Sequence, residues 1–423
     1  MGQLRWAARI AVLVAAAVAA GSSLAGCGGI GGGGAAAADQ AQTLTIYSSL
    51  PLQGPDQARQ TSIVDGEKLA LAEAGGRVGP FHVSFASLTD SNPRAGSWTP
   101  DDTLQAARTA SSDRSAIAYL GDWDSPASAI SLPLLNESGI LQVSPASTYI
   151  GLTEASPTDG RGEPDRYYPS AGPRTFARLA PSDVVEAQAM VAYMSELGVR
   201  RLFVIGDYDV FNADIAGIVA TLAPERGIAV VGHARIDTRS TQARPADFTQ
   251  RVAGVAVTRA DAVIVGGTAG AGVEALWQAL HAGAPRAKLF AASSLATPAF
   301  AAAAGRTGPA TYVTSPVLEA TAYPAAAQRM LRRYRAAFGI DGTPYSLYGY
   351  EAMKYTLDAI RAAGSHGGDR ASVVRAFFGM GPRDSVLGRY AITPSGDTDL
   401  TNMAGYRVGS DGRLRFDRLL RAG

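Results

Sequence analysis

The stretch LLNESGILQVSPASTYIGLT, residues 134–153, holds a short apolar run, Ile140 to Val143, followed at once by the small polar residues Ser144-Pro145-Ala146-Ser147-Thr148. Apolar runs of this length, bounded by turn-forming residues, read as buried strands. The segment just upstream repeats the pattern. Ala116 to Leu120 is apolar, and Gly121-Asp122-Trp123-Asp124-Ser125 leads from it into a helix for which Ser125 is a good N-cap and Pro126 a first-turn residue. Strand, polar turn and helix in succession are the units from which parallel sheets are assembled.

The alternation continues along the chain. Strands are expected at Leu44 to Ser48 and Phe81 to Leu88 before these two. A second set is expected at Arg201 to Ile205, Ile228 to Val231, Ala262 to Val265, Leu289 to Ala292 and Tyr312 to Thr314. Between strands lie helical patterns such as Ser62 to Ala74, where Ile63, Gly66, Ala70 and Ala74 recur at spacings of three and four. Each βα set is about the size of one doubly wound domain, so the fold class is α/β. Residues 154–178 (EASPTDGRGEPDRYYPSAGPRTFAR) are rich in Pro, Gly and charge and read as a loop leading into a crossover. Two later helical patterns, Ala325 to Phe338 and Leu347 to Ala363, precede a tail with β character from Ser385 to Phe416.

The N-terminus has a different composition. MGQLRWAARIAVLVAAAVAAGSSLAGC places Arg5 and Arg9 ahead of the uncharged apolar run Ile10 to Ala20, the layout of a secretory signal peptide. That run is about half of the roughly 20 residues a membrane-spanning helix needs, and no later stretch replaces it. Leu24-Ala25-Gly26-Cys27 resembles the bacterial lipobox, whose cysteine thiol takes a diacylglycerol. Residues 1–26 are therefore expected to be removed and Cys27 to carry the lipid anchor. Residues 27–42, with the Gly/Ala run Gly28 to Ala38, form a flexible linker. Cys27 is the chain's one cysteine, so a lipidated chain has no intramolecular disulfide and relies on its cores. The expected location is the outer face of the cytoplasmic membrane. Removing the signal takes the formal charge from +1 to −1, a balance that argues against nucleic acid as a partner.

Residues 134–153 are similar to the P-x-x-N-E-x-G-I-x-x-I-S-P-A-S-T-N-P-x-L-T stretch of the type I periplasmic-binding proteins of the leucine/branched-chain amino-acid family. Other positions agree in order: Ser49-Leu50-Pro51-Leu52-Gln53-Gly54-Pro55, Gly66, Thr89-Asp90, Leu120-Gly121, Tyr348-Gly349-Tyr350-Glu351-Ala352, Gly396-Asp397 and Asp411-Gly412. The resemblance implies two Rossmann-like lobes joined by three crossovers, residues 43–178 with 318–368 and residues 179–317 with 369–423. It also implies a monomeric solute receptor of an ABC importer, working with a permease and an ATPase and binding a small ligand between the lobes. In Gram-positive relatives such a receptor is a lipoprotein, in agreement with Cys27.

In such folds ligands sit at strand carboxyl ends, where helix N-termini present free N–H groups. By resemblance, Ser125, Ala146 and Thr148 match positions that hold the charged groups of an amino acid, and Ser147 neighbours them. Trp123 offers an apolar wall. In the second lobe Phe211 matches an aromatic that closes over the ligand, and Thr268 and Ser294 follow strands at matching places. Two departures stand out: Ala269 replaces a second aromatic, and Ser293-Ser294 stands where an acid pairs with the ligand's ammonium. Asp124, Asp207 and Asp209 are alternative acceptors. Arg59, near an aromatic wall position, favours an acidic ligand if it faces inward. The ligand class stays open among an amino acid, a small amide, a carboxylate and another polar metabolite.

Two other readings compete. A doubly wound enzyme would use Gly270-Ala271-Gly272-Val273-Glu274-Ala275 as a nucleotide turn, but no acid follows between Glu274 and Glu319 to bind a ribose. His82, His233, His281 and His366 are too scattered for a metal cluster. No enzyme activity, cofactor or metal is therefore expected. A ligand sensor of the same fold, acting through a signalling partner, is the other alternative.

Overall fold

The computed structural model describes residues 42–158, 162–169, 172–208, 210–237, 244–305 and 311–422. The expected signal peptide, Cys27 and nearly all of the linker lie outside the described residues. The first sheet contains β1 (Thr43–Leu50), β2 (Arg77–Val78), β3 (Phe81–Thr89), β4 (Ala116–Leu120), β5 (Leu141–Ser144) and β6 (Phe176–Arg178), in the order β2-β3-β1-β4-β5-β6. Every pair is parallel except β2 with β3. Further along lie β7 (Arg201–Asp207), β8 (Ala229–Ile236), β9 (Ala262–Val265), β10 (Lys288–Ala291) and β11 (Thr311–Ser315). The small hairpin β12 (Arg383–Asp384) and β13 (Arg389–Tyr390) follows, and then β14 (Asn402–Val408) and β15 (Leu414–Arg421). The second sheet runs β15-β14-β11-β10-β9-β7-β8, parallel from β11 to β8 and antiparallel at β14 and β15.

The sequence dictates this arrangement through burial. β4 (AIAYL) and β9 (AVIV) are buried along their whole length, as central parallel strands covered on both faces must be. Alternate residues of β7 feed opposite cores: Leu202 and Val204 pack with Met190 and Val219, Phe203 and Ile205 with Trp277 and Leu280. The covering helices are α1 (Gln57–Glu73), α2 (Pro100–Ser112), α3 (Ser125–Glu137), α4 (Asp183–Glu196), α5 (Val210–Leu222), α6 (Thr249–Val257), α7 (Ala271–Gly283), α8 (Pro298–Gly305), α9 (Ala325–Phe338), α10 (Pro344–Ala362) and α11 (Arg370–Gly379). Helix α2 starts on Thr99, whose hydroxyl accepts from the Asp102 amide, with Pro100 in its first turn.

The late helices return to the first sheet. Met330, Leu347, Met353 and Ile360 share a core with Leu44, Ile46, Ile117 and Val143. Helices α1 and α10 cross so closely that glycine is required on both. A Cβ on Gly66 would meet the Ser346 carbonyl oxygen, and one on Gly349 the Ile63 carbonyl oxygen. The chain thus passes between the two halves three times: after β6, after β11 and before β14.

Some sequence expectations change. Val373, Phe377, Leu387 and Tyr390 pack in the first core, so the return to the second half falls near residue 400 and not at 369. The stretch read as a loop at 154–178 ends in β6, where buried Phe176 and Ala177 add an edge strand to β5. Asp124, not Ser125, takes the N-cap of α3. Among the described residues, no helix is long and apolar enough to cross a membrane.

Candidate functional site

Each sheet reverses its direction of winding once. β1 and β4 are neighbours, but the chain visits β3 on the far side of β1 between them; β7 and β9 enclose the same reversal around β8. Loops at such switch points diverge and leave a crevice at the strand carboxyl ends. The crevices of both sheets border one cavity of about 910 Å³. Its rim takes Gln53 and Asp56 after β1, Trp123 and Ser125 after β4, and Ala146 and Thr148 after β5. From the other side come Phe211 after β7, Thr268 and Ala269 after β9, and Ser293 and Ser294 after β10.

Seven of the eight expected ligand residues therefore border a single space. Ser147 does not. It is buried, and its hydroxyl shares a 2.8 Å hydrogen bond with Ser128 and donates to the Asp122 carbonyl at 3.3 Å, fixing the turn from behind. The neighbouring amides are also committed. Ala146 N–H and Ser147 N–H donate to the Ser144 hydroxyl at 3.2 and 2.8 Å, and Thr148 N–H and Tyr149 N–H donate to the Ser125 hydroxyl, each at 3.1 Å. Ser125 thus joins the two first-sheet loops and keeps its own O–H to donate.

Aromatic rings line two walls. Trp123 lies 5.3 Å from Tyr345, centroid to centroid, and the Arg59 guanidinium sits over both rings at 5.5 and 5.2 Å. Phe211 meets Tyr149 edge-on at 4.9 Å, so the two sides of the cavity touch there. Arg59 does face inward, but Asp56 already pairs with it.

An acid does stand beside Ser293, supplied by another element. Glu186, on α4, borders the cavity and accepts from Ser293 N–H at 2.7 Å, the Ser293 hydroxyl at 2.6 Å and the Thr314 hydroxyl at 2.6 Å. Burial raises its carboxyl, against the pull of those donors. Asp183, one turn earlier, is pushed up to about 7 by burial and by Glu186, with the Thr148 hydroxyl opposing. Of the alternative acceptors, Asp124 borders the cavity, Asp207 accepts from the Tyr208 amide at 2.6 Å and does not border it, and Asp209 lies outside the described residues. Glu186 gave no sequence signal, because nothing in an ordinary helical pattern marks one of its acids. Tyr345 did: it stands one helical turn before Tyr348, and both border the cavity.

Two doubly wound halves, crossed three times, thus border a polar-rimmed cavity at their switch points. The chain belongs to the periplasmic binding protein family, whose model matches residues 43–413. No curated protein sequence matches it. Among solved structures, a leucine-binding protein from Thermotoga maritima is 19% identical with a TM-score of 0.72, covering 89% of this chain and 99% of that one. An ABC transporter substrate-binding protein from Desulfitobacterium hafniense, in complex with Leu, is 20% identical with a TM-score of 0.70 (89% and 100%). An R. palustris solute-binding protein in complex with benzoate is 17% identical with a TM-score of 0.68 (90% and 97%). The fold is the type I periplasmic-binding fold of these structures.

Proposed function

We propose that this chain is the solute receptor of an ABC importer, a lipoprotein held by Cys27 on the outer face of the cytoplasmic membrane. It captures a small polar metabolite without chemistry, as a monomer, and presents it to a permease and its ATPase. The observation that carries this reading is the single cavity bordered by switch-point loops of both sheets, of a size typical of small-molecule sites. The lobes would be residues 43–178 with about 318–400, and residues 179–317 with about 401–423. The ligand first meets the Ser125 and Thr148 loops, and the loops carrying Phe211, Thr268 and Ser294 then rotate onto it by hinge closure. Trp123 and Ala146 form wall and floor.

Two experiments test the reading. In thermal-shift screening of a metabolite panel, a ligand that binds the folded state raises the melting temperature. Ser125→Ala, Thr148→Ala is expected to weaken that ligand at least about tenfold, since each hydroxyl contributes roughly one hydrogen bond. Unchanged affinity in the double variant rules out the site. In a bacterial host fed a labelled fatty acid, the parent is expected to take up the label and Cys27→Ser to lose it; label that persists in the variant contradicts the anchor.

A further inference from the structure

The charges around the cavity are lopsided. Among the described residues that border it, Asp56, Asp124, Asp183, Glu186 and Glu274 are acids, and Arg59 is the one base. Asp56 answers Arg59, and Ser293 with Thr314 answers Glu186. Asp124 differs. It holds the N-cap position of α3, where an aspartate ordinarily accepts from the first-turn amides, yet its carboxylate makes no such bond and borders the cavity instead.

An independent observation lies on α1. Gln60 also borders the cavity and is 1% exposed, and its Oε1 has no hydrogen-bond partner. A buried acceptor left in this state lowers stability unless a donor reaches it. Meanwhile the amides that an anion would need, those of Ala146 and Thr148, are consumed by Ser144 and Ser125. The first-sheet loops therefore offer few free donors beyond the Ser125 hydroxyl. Its rings already attract a cation, the Arg59 guanidinium over Trp123 and Tyr345.

We propose that the ligand is a small organic cation, its ammonium or guanidinium N–H groups donating to the Asp124 carboxylate and to Gln60 Oε1 beside the Trp123 ring. This rests on the capture reading above and names its substrate class. Burial, with the charges of Asp122 and Asp56, pushes Asp124 up to about 7, and Arg59 only partly opposes.

The test is calorimetric titration of the mature protein in detergent with agmatine, putrescine and arginine, set against leucine, benzoate and glutarate. At least one of the three cations is expected to bind. Asp124→Asn is expected to weaken it at least about tenfold, the loss of one charge-assisted hydrogen bond. Gln60→Leu, which keeps every charge, is expected to weaken it severalfold and serves if the first variant does not fold. Binding of leucine, benzoate or glutarate without a cation overturns the assignment and leaves capture standing, as does a cation whose affinity neither substitution changes. Heat from none of the six also overturns it, and capture then rests on the wider metabolite screen.

Discussion

Arg178→Met is expected to lower unfolding stability by about 3–5 kcal/mol, the cost of leaving a buried partner charge uncompensated. Arg178 is fully buried at the end of β6, with its Nε 2.5 Å from the Asp397 carboxylate. Its guanidinium also donates to the carbonyls of Tyr149 at 2.7 Å and Ser147 at 3.4 Å, and to the Thr153 hydroxyl. One side chain thus ties the turn that presents Ala146 and Thr148 to a loop 219 residues further on. Replacing both partners, Arg178→Met with Asp397→Leu, is expected to recover much of the loss, because no buried charge then lacks a mate. Urea denaturation measures both. A single variant within about 1 kcal/mol of the parent would show that the pair does not anchor the turn.

The second large effect is a dependence on pH. Glu67 and Asp90 are wholly buried beneath the β1 and β3 ends. Burial pushes Glu67 up to about 8, with the Ser48 hydroxyl and Lys68 opposing only in part. Asp90 rises to about 9, through burial first and then the charges of Asp122 and Asp124, and no hydrogen-bond partner reaches its carboxyl oxygens. In the unfolded chain both acids release their protons near pH 4. From there up to pH 8 or 9 the folded state alone keeps them, so stability falls as pH rises, by about 1.4 kcal/mol per unit for each group. Glu67→Gln keeps the shape of the neutral acid and removes its titration. The variant's melting temperature is expected to match the parent near pH 4.5 and to exceed it increasingly toward pH 8. A difference that stays constant with pH would mean that Glu67 is ionised in the fold.

Much of the fold was legible because its strands are short apolar runs. Ala116–Leu120 and Ala262–Val265 have the same bounds in sequence and structure, since continuous burial leaves one way to read them. The site was legible at the level of loops, because a parallel sheet puts its crevice where strands end. Individual roles were not. Arg178 closes a Pro-, Gly- and charge-rich stretch that reads as a loop, and its partners on the turn at residues 147–153, with the far more distant Asp397, make it a core residue. Ser125 looks like an N-cap, but the neighbouring loop claims its hydroxyl. Glu186 supplies an acid to a place where the local sequence, Ser293-Ser294, has none. Each miss is a long-range contact competing with a local preference.

The contact of α1 with α10 through Gly66 and Gly349 has a consequence for how the molecule is made. A ribosome delivers the strands of the first sheet early, yet the helix that covers them is encoded nearly three hundred residues later. Until that helix emerges, the face of β1, β4 and β5 that it shares with Leu69 and Ala70 of α1 is only partly covered, and a long loop must close before the contact pays back its entropy. The half that is translated first therefore completes its fold late. Most of the second sheet, from β7 to β11, lies in one continuous segment and can form ahead of it.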